Sequence, residues 1–133
     1  MKSILLDTNA YSAYRRGNLE VLEALGRAER VFMSVFVLGE LLYGFRGGNR
    51  YVQNRRELGA FLDKPSVFVA HATDDTSEQF AVTKDALRQA GTPLPMNDVW
   101  IAAHCLQLGA TIVTLDGHFG TVPGLRVWPL APA

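Results

Sequence analysis

Four acidic residues, Asp7, Glu40, Asp98 and Asp116, stand where an isolated charge is hard to explain. Asp7 ends the apolar run Ser3-Ile4-Leu5-Leu6, and Asp116 ends Thr111-Ile112-Val113-Thr114-Leu115. Asp98 opens the helix-like stretch Val99-Trp100-Ile101-Ala102-Ala103, and Glu40 interrupts the apolar run Val35 to Phe45. A carboxylate taken out of water without a fixed partner is costly. Two unit charges about 4 Å apart repel by roughly 4 kcal/mol at an effective dielectric near 20. Acids gathered from four distant places must therefore take up protons, with raised pKa values, or share a cation. Carboxylate oxygens are hard ligands that select Mg2+ or Mn2+ over zinc. Such an ion lowers the pKa of a bound water and stabilises charge on a phosphoryl oxygen. The chemistry implied is in-line hydrolysis of a phosphodiester without a covalent enzyme intermediate.

Position suggests a role for each acid. Asp7 and Asp98 are the expected direct ligands. Glu40, on a longer side chain, orients the attacking water or ligates. Asp116 is a ligand, a ligand to a second metal or an outer partner. Thr8, Asn9, Ser34 and Thr114 offer hydroxyl and amide hydrogen bonds to hold the carboxylates. Each acid also has a plainer reading. Asp7 can cap the helix that follows, Asp98 can do the same with Asn97 as the competing cap, and Asp116-Gly117 can be an ordinary turn. Glu40 can be a single exposed residue of an apolar helix. The joint arrangement, not any one position, carries the inference. The histidines His71, His104 and His118 show no ligand spacing. His104 lies in an apolar helix, as a packed histidine would, and His118 follows Asp116-Gly117.

Elements of two periodicities must position these residues. Short β-rich runs at Ile4 to Leu6, Val31 to Met33, Val67 to Val69 and Thr111 to Leu115 alternate with helical patterns. Leu125 to Trp128 reads as a short edge strand. Helices are expected from about Ala10 with Asn9 as cap, and over Leu19 to Arg27 with Leu19, Leu22 and Leu25 in a stripe. Others are expected from Val35 after a Ser34 cap, from Arg50 to Leu62, from Asp74 or Asp75 to Arg88, and from Asn97-Asp98 to Leu108. This alternation predicts a parallel sheet covered on both faces, with the strand C-termini on one edge where ligands bind. Asp7 and Asp116 fall at that edge, and Asp98 reaches it if the loop Thr92 to Met96 returns the chain there.

The 133 residues suit one domain over 1–133, and 48% hydrophobic content supports a core. The single cysteine, Cys105, excludes an internal disulfide and a thiolate zinc cluster and is compatible with a cytoplasmic location. The N-terminal apolar stretch is too short for a signal peptide, and no segment approaches a membrane span. Thirteen basic and thirteen acidic residues cancel, which argues against binding nucleic acid by bulk charge. Between Arg46 and Lys64, however, five basic residues face two acids. This run reads either as a solvated helix face or as a phosphate-contacting rim.

The chain resembles the PIN-domain family, in particular VapC-type toxins of prokaryotic toxin–antitoxin pairs. The matching pieces are Leu5-Leu6-Asp7-Thr8-Asn9, Ser34 to Gly44 around Glu40, Asn97-Asp98 with Trp100-Ile101-Ala102-Ala103, Val113 to Phe119, and Val122-Pro123-Gly124-Leu125. They span nearly the whole chain in the family's order. The resemblance implies an α/β three-layer sandwich, with a central, mostly parallel sheet of about five strands between helices. It implies an acidic quartet of Asp7, Glu40, Asp98 and Asp116, with Thr114 as the hydroxyl before the last acid. It further implies a Mg2+- or Mn2+-dependent endoribonuclease acting on structured RNA such as tRNA or rRNA, a homodimer, and an inhibiting antitoxin whose tail enters the cleft. A PIN-like scaffold that binds RNA or a partner without cleaving is the alternative. A haloacid-dehalogenase-type phosphatase fits poorly, because Asn9 stands where its second Asp belongs.

Overall fold

The computed structural model describes residues 2–131. The chain runs β1 (Ser3–Leu6), α1 (Thr8–Arg15), α2 (Leu19–Arg27), β2 (Arg30–Ser34), α3 (Val35–Arg46), α4 (Tyr51–Leu62), β3 (Val67–Ala70) and α5 (Asp74–Ala90). It continues through α6 (Met96–Leu108), β4 (Thr111–Thr114), a 3-10 helix (Gly117–Thr121) and β5 (Arg126–Pro129). The strands form one sheet in the order β3-β2-β1-β4-β5, and every neighbouring pair is parallel.

Burial explains why the strands read as continuous apolar runs. Successive strand residues point to opposite faces, yet Ile4, Leu5, Leu6, Ile112 and Val113 are all 0% exposed. Both faces of β1 and β4 are therefore covered, as a parallel sheet between helix layers requires. Leu5 pairs with Phe32 on one side and Ile112 on the other. The strand order reverses beside β1, since β2 lies to one side and β4 to the other. The crevice outside the C-terminal ends of β1 and β4 is the position where such sheets bind ligands, and Asp7 and Asp116 follow those two ends.

Helix ends follow local chemistry, with three departures from the sequence expectations. Gly91 and Gly109 take left-handed conformations, at φ 72° and 64°, and close α5 and α6 as expected. Helix α1 begins at Thr8 with Asp7 as its cap, not Asn9. Asp, Thr and Asn are all competent at a helix start, and Asn9 instead accepts a hydrogen bond from the Leu115 amide at 2.9 Å. Helix α2 buries Val21 and Ala24, while Leu19 and Leu22 are 78% and 44% exposed. Of the leucine stripe, only Leu25 packs against the core. Helix α6 starts at Met96 after Pro95, and neither Asn97 nor Asp98 caps it. Among the described residues, no helix is long and apolar enough to cross a membrane.

Candidate active site

Asp7 is the hub of the acidic crevice, because β1 ends at Leu6 and the chain turns at once into α1. It is only 5% exposed. Its Oδ1 accepts from the Thr8 amide at 2.8 Å, and its Oδ2 accepts from the Thr114 hydroxyl at 2.8 Å and from Asn9 Nδ2 at 3.3 Å. These donors answer the carboxylate's need for partners but do not neutralise it. Burial, reinforced by the charges of Glu40 and Asp116, raises its pKa, against the lowering effect of the bonds from Thr114 and Thr8.

Two threonines tie the other acids to this hub. The Thr8 hydroxyl donates to Glu40 Oε1 at 2.5 Å, joining the start of α1 to the middle of α3. The Thr114 hydroxyl, while donating to Asp7, accepts from the Asp116 amide at 2.9 Å. Asp116 in turn caps the 3-10 helix through the His118 amide at 2.9 Å, and His118 Nδ1 lies 3.1 Å from the same carboxylate oxygen. The plain capping readings of Asp7 and Asp116 are therefore true, and both residues still face the crevice.

Asp98 sits in the first turn of α6, where the helix dipole favours an anion. Its pKa nonetheless rises to about 6, first through burial and then through the charges of Asp7, Asp116 and Glu40, with His118 opposing. That all three of the other acids act on it places the quartet in one electrostatic neighbourhood. Among the described residues, no three His, Cys, Asp or Glu side chains stand close enough to enclose a metal ion. The acids thus form a rim rather than a closed coordination cage.

Sequence reasoning grouped Ser34 with the hydroxyls that hold the carboxylates; the structure places it elsewhere. Ser34 caps α3 through the Phe36 amide at 3.1 Å and meets His104 Nδ1 at 2.8 Å. His104 Nε2 meets the His71 carbonyl at 3.1 Å. A carbonyl only accepts, so Nε2 carries the proton and Nδ1 accepts from the serine hydroxyl. Burial lowers the His104 pKa and keeps the ring neutral. The single signal in the sequence was a polar ring within an apolar helical run, and its partners are 33 and 70 positions away.

The basic run from Arg46 to Lys64 is mostly an exposed face. Arg46 lies over the Tyr51 ring at 5.0 Å and Arg50 Nε bonds Gln53 at 3.2 Å. Beside it is a surface concavity of about 730 Å3 lined in part by Arg50, Gln53 and Arg56. An apolar one of similar volume lies between α5 and the α5–α6 loop. Neither is lined by the acids, which occupy an open crevice.

The model of the PIN domain matches residues 4–125. The ribonuclease VapC2 of Rickettsia felis is 30% identical over 128 residues, which is 91% of this chain and 92% of that protein. The ribonuclease VapC1 of Haemophilus influenzae is 29% identical over 114 residues, 83% of this chain and 84% of that protein. Among solved structures, the VapBC2 complex of Rickettsia felis bound to a DNA fragment from its promoter superposes with a TM-score of 0.82. The identity there is 26%, covering 96% of this chain and 98% of that one.

Proposed function

We propose that this chain, which belongs to the PIN-domain family, is the endoribonuclease toxin of a toxin–antitoxin pair and hydrolyses phosphodiester bonds of structured RNA with Mg2+ or Mn2+. The observation that carries this reading is the convergence of carboxylates from four separate elements: burial first, and then the charges of neighbouring acids, raise the pKa of both Asp7 and Asp98. The relatives' ribonuclease activity supports the reaction class. The family's association with antitoxins, as in the VapBC complexes, supports the partner. Structured RNA such as tRNA or rRNA is the proposed substrate class.

The donor set fits a hard divalent ion, since every candidate ligand is a carboxylate oxygen. Asp7 and Asp98 would hold it, with Asp116 and Glu40 close by. A bound ion supplies charge neutralisation at the phosphoryl oxygen and a more acidic water. The residues supply the rest. Thr8 and Thr114 fix the direction of Asp7, so its oxygens are presented without a search through rotamers. Thr8 occupies Glu40 Oε1, and we assign Glu40 Oε2 to orient the attacking water and accept its proton. The water oxygen bonds phosphorus as the bond to the leaving oxygen breaks, and solvent protonates that oxygen. The burial of Asp7 and the partial burial of Glu40, Asp98 and Asp116 strengthen these charges relative to bulk water.

A homodimer and an antitoxin with a segment reaching the crevice complete the proposal. Exposed Tyr43 on α3, Val52 on α4, Val82 on α5 and Met96 on α6 leave apolar surface for such contacts. The test is cleavage of an RNA mixture by purified protein with Mg2+ or Mn2+, repeated after chelation and with Asp7→Asn and Asp98→Asn. Cleavage that survives chelation or both substitutions rejects the site. Calorimetric titration with Mn2+ separates the silent-scaffold alternative, which predicts no binding by the protein alone.

A further inference from the structure

Tyr11, one turn beyond Asp7 on α1, is 2% exposed, and its hydroxyl has no hydrogen-bond partner among the described residues. Its ring is fixed by an edge-on contact with Phe61 at 5.3 Å and by Tyr14 at 6.2 Å. The hydroxyl therefore cannot swing away to find a partner. Buried polar groups without partners are rare in native proteins and call for an explanation.

Tyr11 lines a cavity of about 220 Å3 between α1 and α4, shared with Ser12, Arg15, Arg16, Asn54 and Glu57. Arg15 and Glu57 pair at 3.0 Å, their side chains 39% and 31% exposed. The pair lines the same cavity as Tyr11, and both charges act on its phenol. With Arg15 matched to Glu57, Arg16 leaves the lining one positive charge in excess, and Tyr11, Ser12 and Asn54 can all donate. Donors around a net positive charge suit a ligand that is anionic and accepts several hydrogen bonds.

Register connects this cavity to the acidic crevice. Thr8, Ser12 and Arg15 stand at i, i+4 and i+7 on one face of α1. The face whose first residue bonds Glu40 thus continues into the cavity. At a rise of 1.5 Å per residue, Thr8 and Arg15 are about 10 Å apart along the axis. That is the span of one or two nucleotides of an extended strand.

We propose that the α1–α4 cavity is a phosphate-binding subsite for the RNA strand flanking the scissile bond, with Arg16 supplying charge and Tyr11 a hydrogen bond to a phosphate oxygen. The subsite deepens, and rests on, the ribonuclease reading. Arg15 and Glu57 line the same cavity, and a surface pair of this kind holds weakly enough to part for an incoming phosphate.

The test is equilibrium binding of a short fluorescein-labelled single-stranded RNA to the full chain without added divalent ion, by anisotropy over a range of salt. Arg16→Gln is expected to weaken binding about fivefold and to reduce the slope of log Kd against log salt by about 0.7, the loss of one phosphate contact on a single strand. Tyr11→Phe keeps the ring and is expected to weaken binding about threefold, with slope and melting temperature unchanged. Two variants that bind as the wild type does overturn the subsite, whether the cavity then serves water or a protein partner. A fall in the melting temperature of Tyr11→Phe also overturns it, because the hydroxyl then has a structural role. Cleavage by the wild type with divalent ion is scored separately. Variants without a binding defect beside intact cleavage remove the subsite alone. A binding defect in a chain that does not cleave removes the ribonuclease reading and, with no scissile bond to flank, overturns the subsite as proposed, leaving only a phosphate contact.

Discussion

Helix α6 carries two polar residues that meet burial in opposite ways. His104, in its third turn, is 0% exposed, and every hydrogen-bonding atom of its ring has a partner supplied by the fold. Asp98, in the first turn, is crowded by three other acids and holds its proton up to about pH 6. The histidine network is closed, since Ser34, His104 and the His71 carbonyl satisfy one another without a charge. The carboxylate crevice is open, since its internal donors orient Asp7 and Glu40 but leave negative charge in excess. A polar cluster complete in itself positions elements; one left unbalanced awaits something from outside. The comparison separates a joint between α3 and α6 from a site of chemistry.

The sharpest break of that comparison is Asp7→Asn. It should reduce RNA cleavage by about 100- to 1,000-fold, the scale of losing one preorganised electrostatic group, with no fall in melting temperature because repulsion is relieved. His104→Leu should do the reverse. Urea unfolding should show a loss of about 2 kcal/mol, since the Ser34 hydroxyl loses its buried partner, while residual cleavage stays well above that of Asp7→Asn. If the histidine variant proves as stable as the wild type, the closed network is not a joint.

A pH series sharpens the contrast. Without divalent ion, the raised Asp98 pKa contributes stability that is fully present below the ordinary value of 3.8 and lost as pH rises through about 6. The lowered His104 pKa works in the other direction: its contribution is full above 6.5 and lost as pH falls below that value. Denaturant titrations across this range should show the first limb vanish in Asp98→Asn and the second in His104→Leu. Saturating Mg2+ should suppress the Asp98 limb, because the ion takes the proton's place. A loss of stability on raising pH toward 6 that persists in both Asp98→Asn and saturating Mg2+ would count against the shared pocket. The smallest effect is expected from Thr8→Val, which removes the 2.5 Å bond to Glu40. Cleavage should fall about tenfold and stability by about 1 kcal/mol, read from initial rates and unfolding curves on the same preparation.

Much of this arrangement is legible in the sequence. The apolar runs ending in Asp7 and near Asp116 are strands, Ser34 is a cap, and Gly91 and Gly109 are helix stops, because each depends on neighbours close in sequence. What was not legible depends on distant partners. Nothing local distinguishes Asp7 from Asn9 as the cap of α1, since all of Asp-Thr-Asn can serve; the Leu115 amide, 106 positions away, decides it. Ser34 looked like any hydroxyl near an acid until His104 claimed it. The leucines of α2 matched a helical period, yet the residues it buries fully are Val21 and Ala24. The Tyr11 hydroxyl left no trace in the sequence at all, because an unpartnered atom is a property of the assembled interior.

Asp7 and the threonine that aims it are 107 positions apart, and β1 finds β4 only after everything between them has been made. A ribosome translating this chain therefore handles a harmless polypeptide until the last strands emerge and dock. The protein that would threaten the cell's RNA is armed only once β4 has been made, and any transcript broken before the codon for Thr114 encodes a blank.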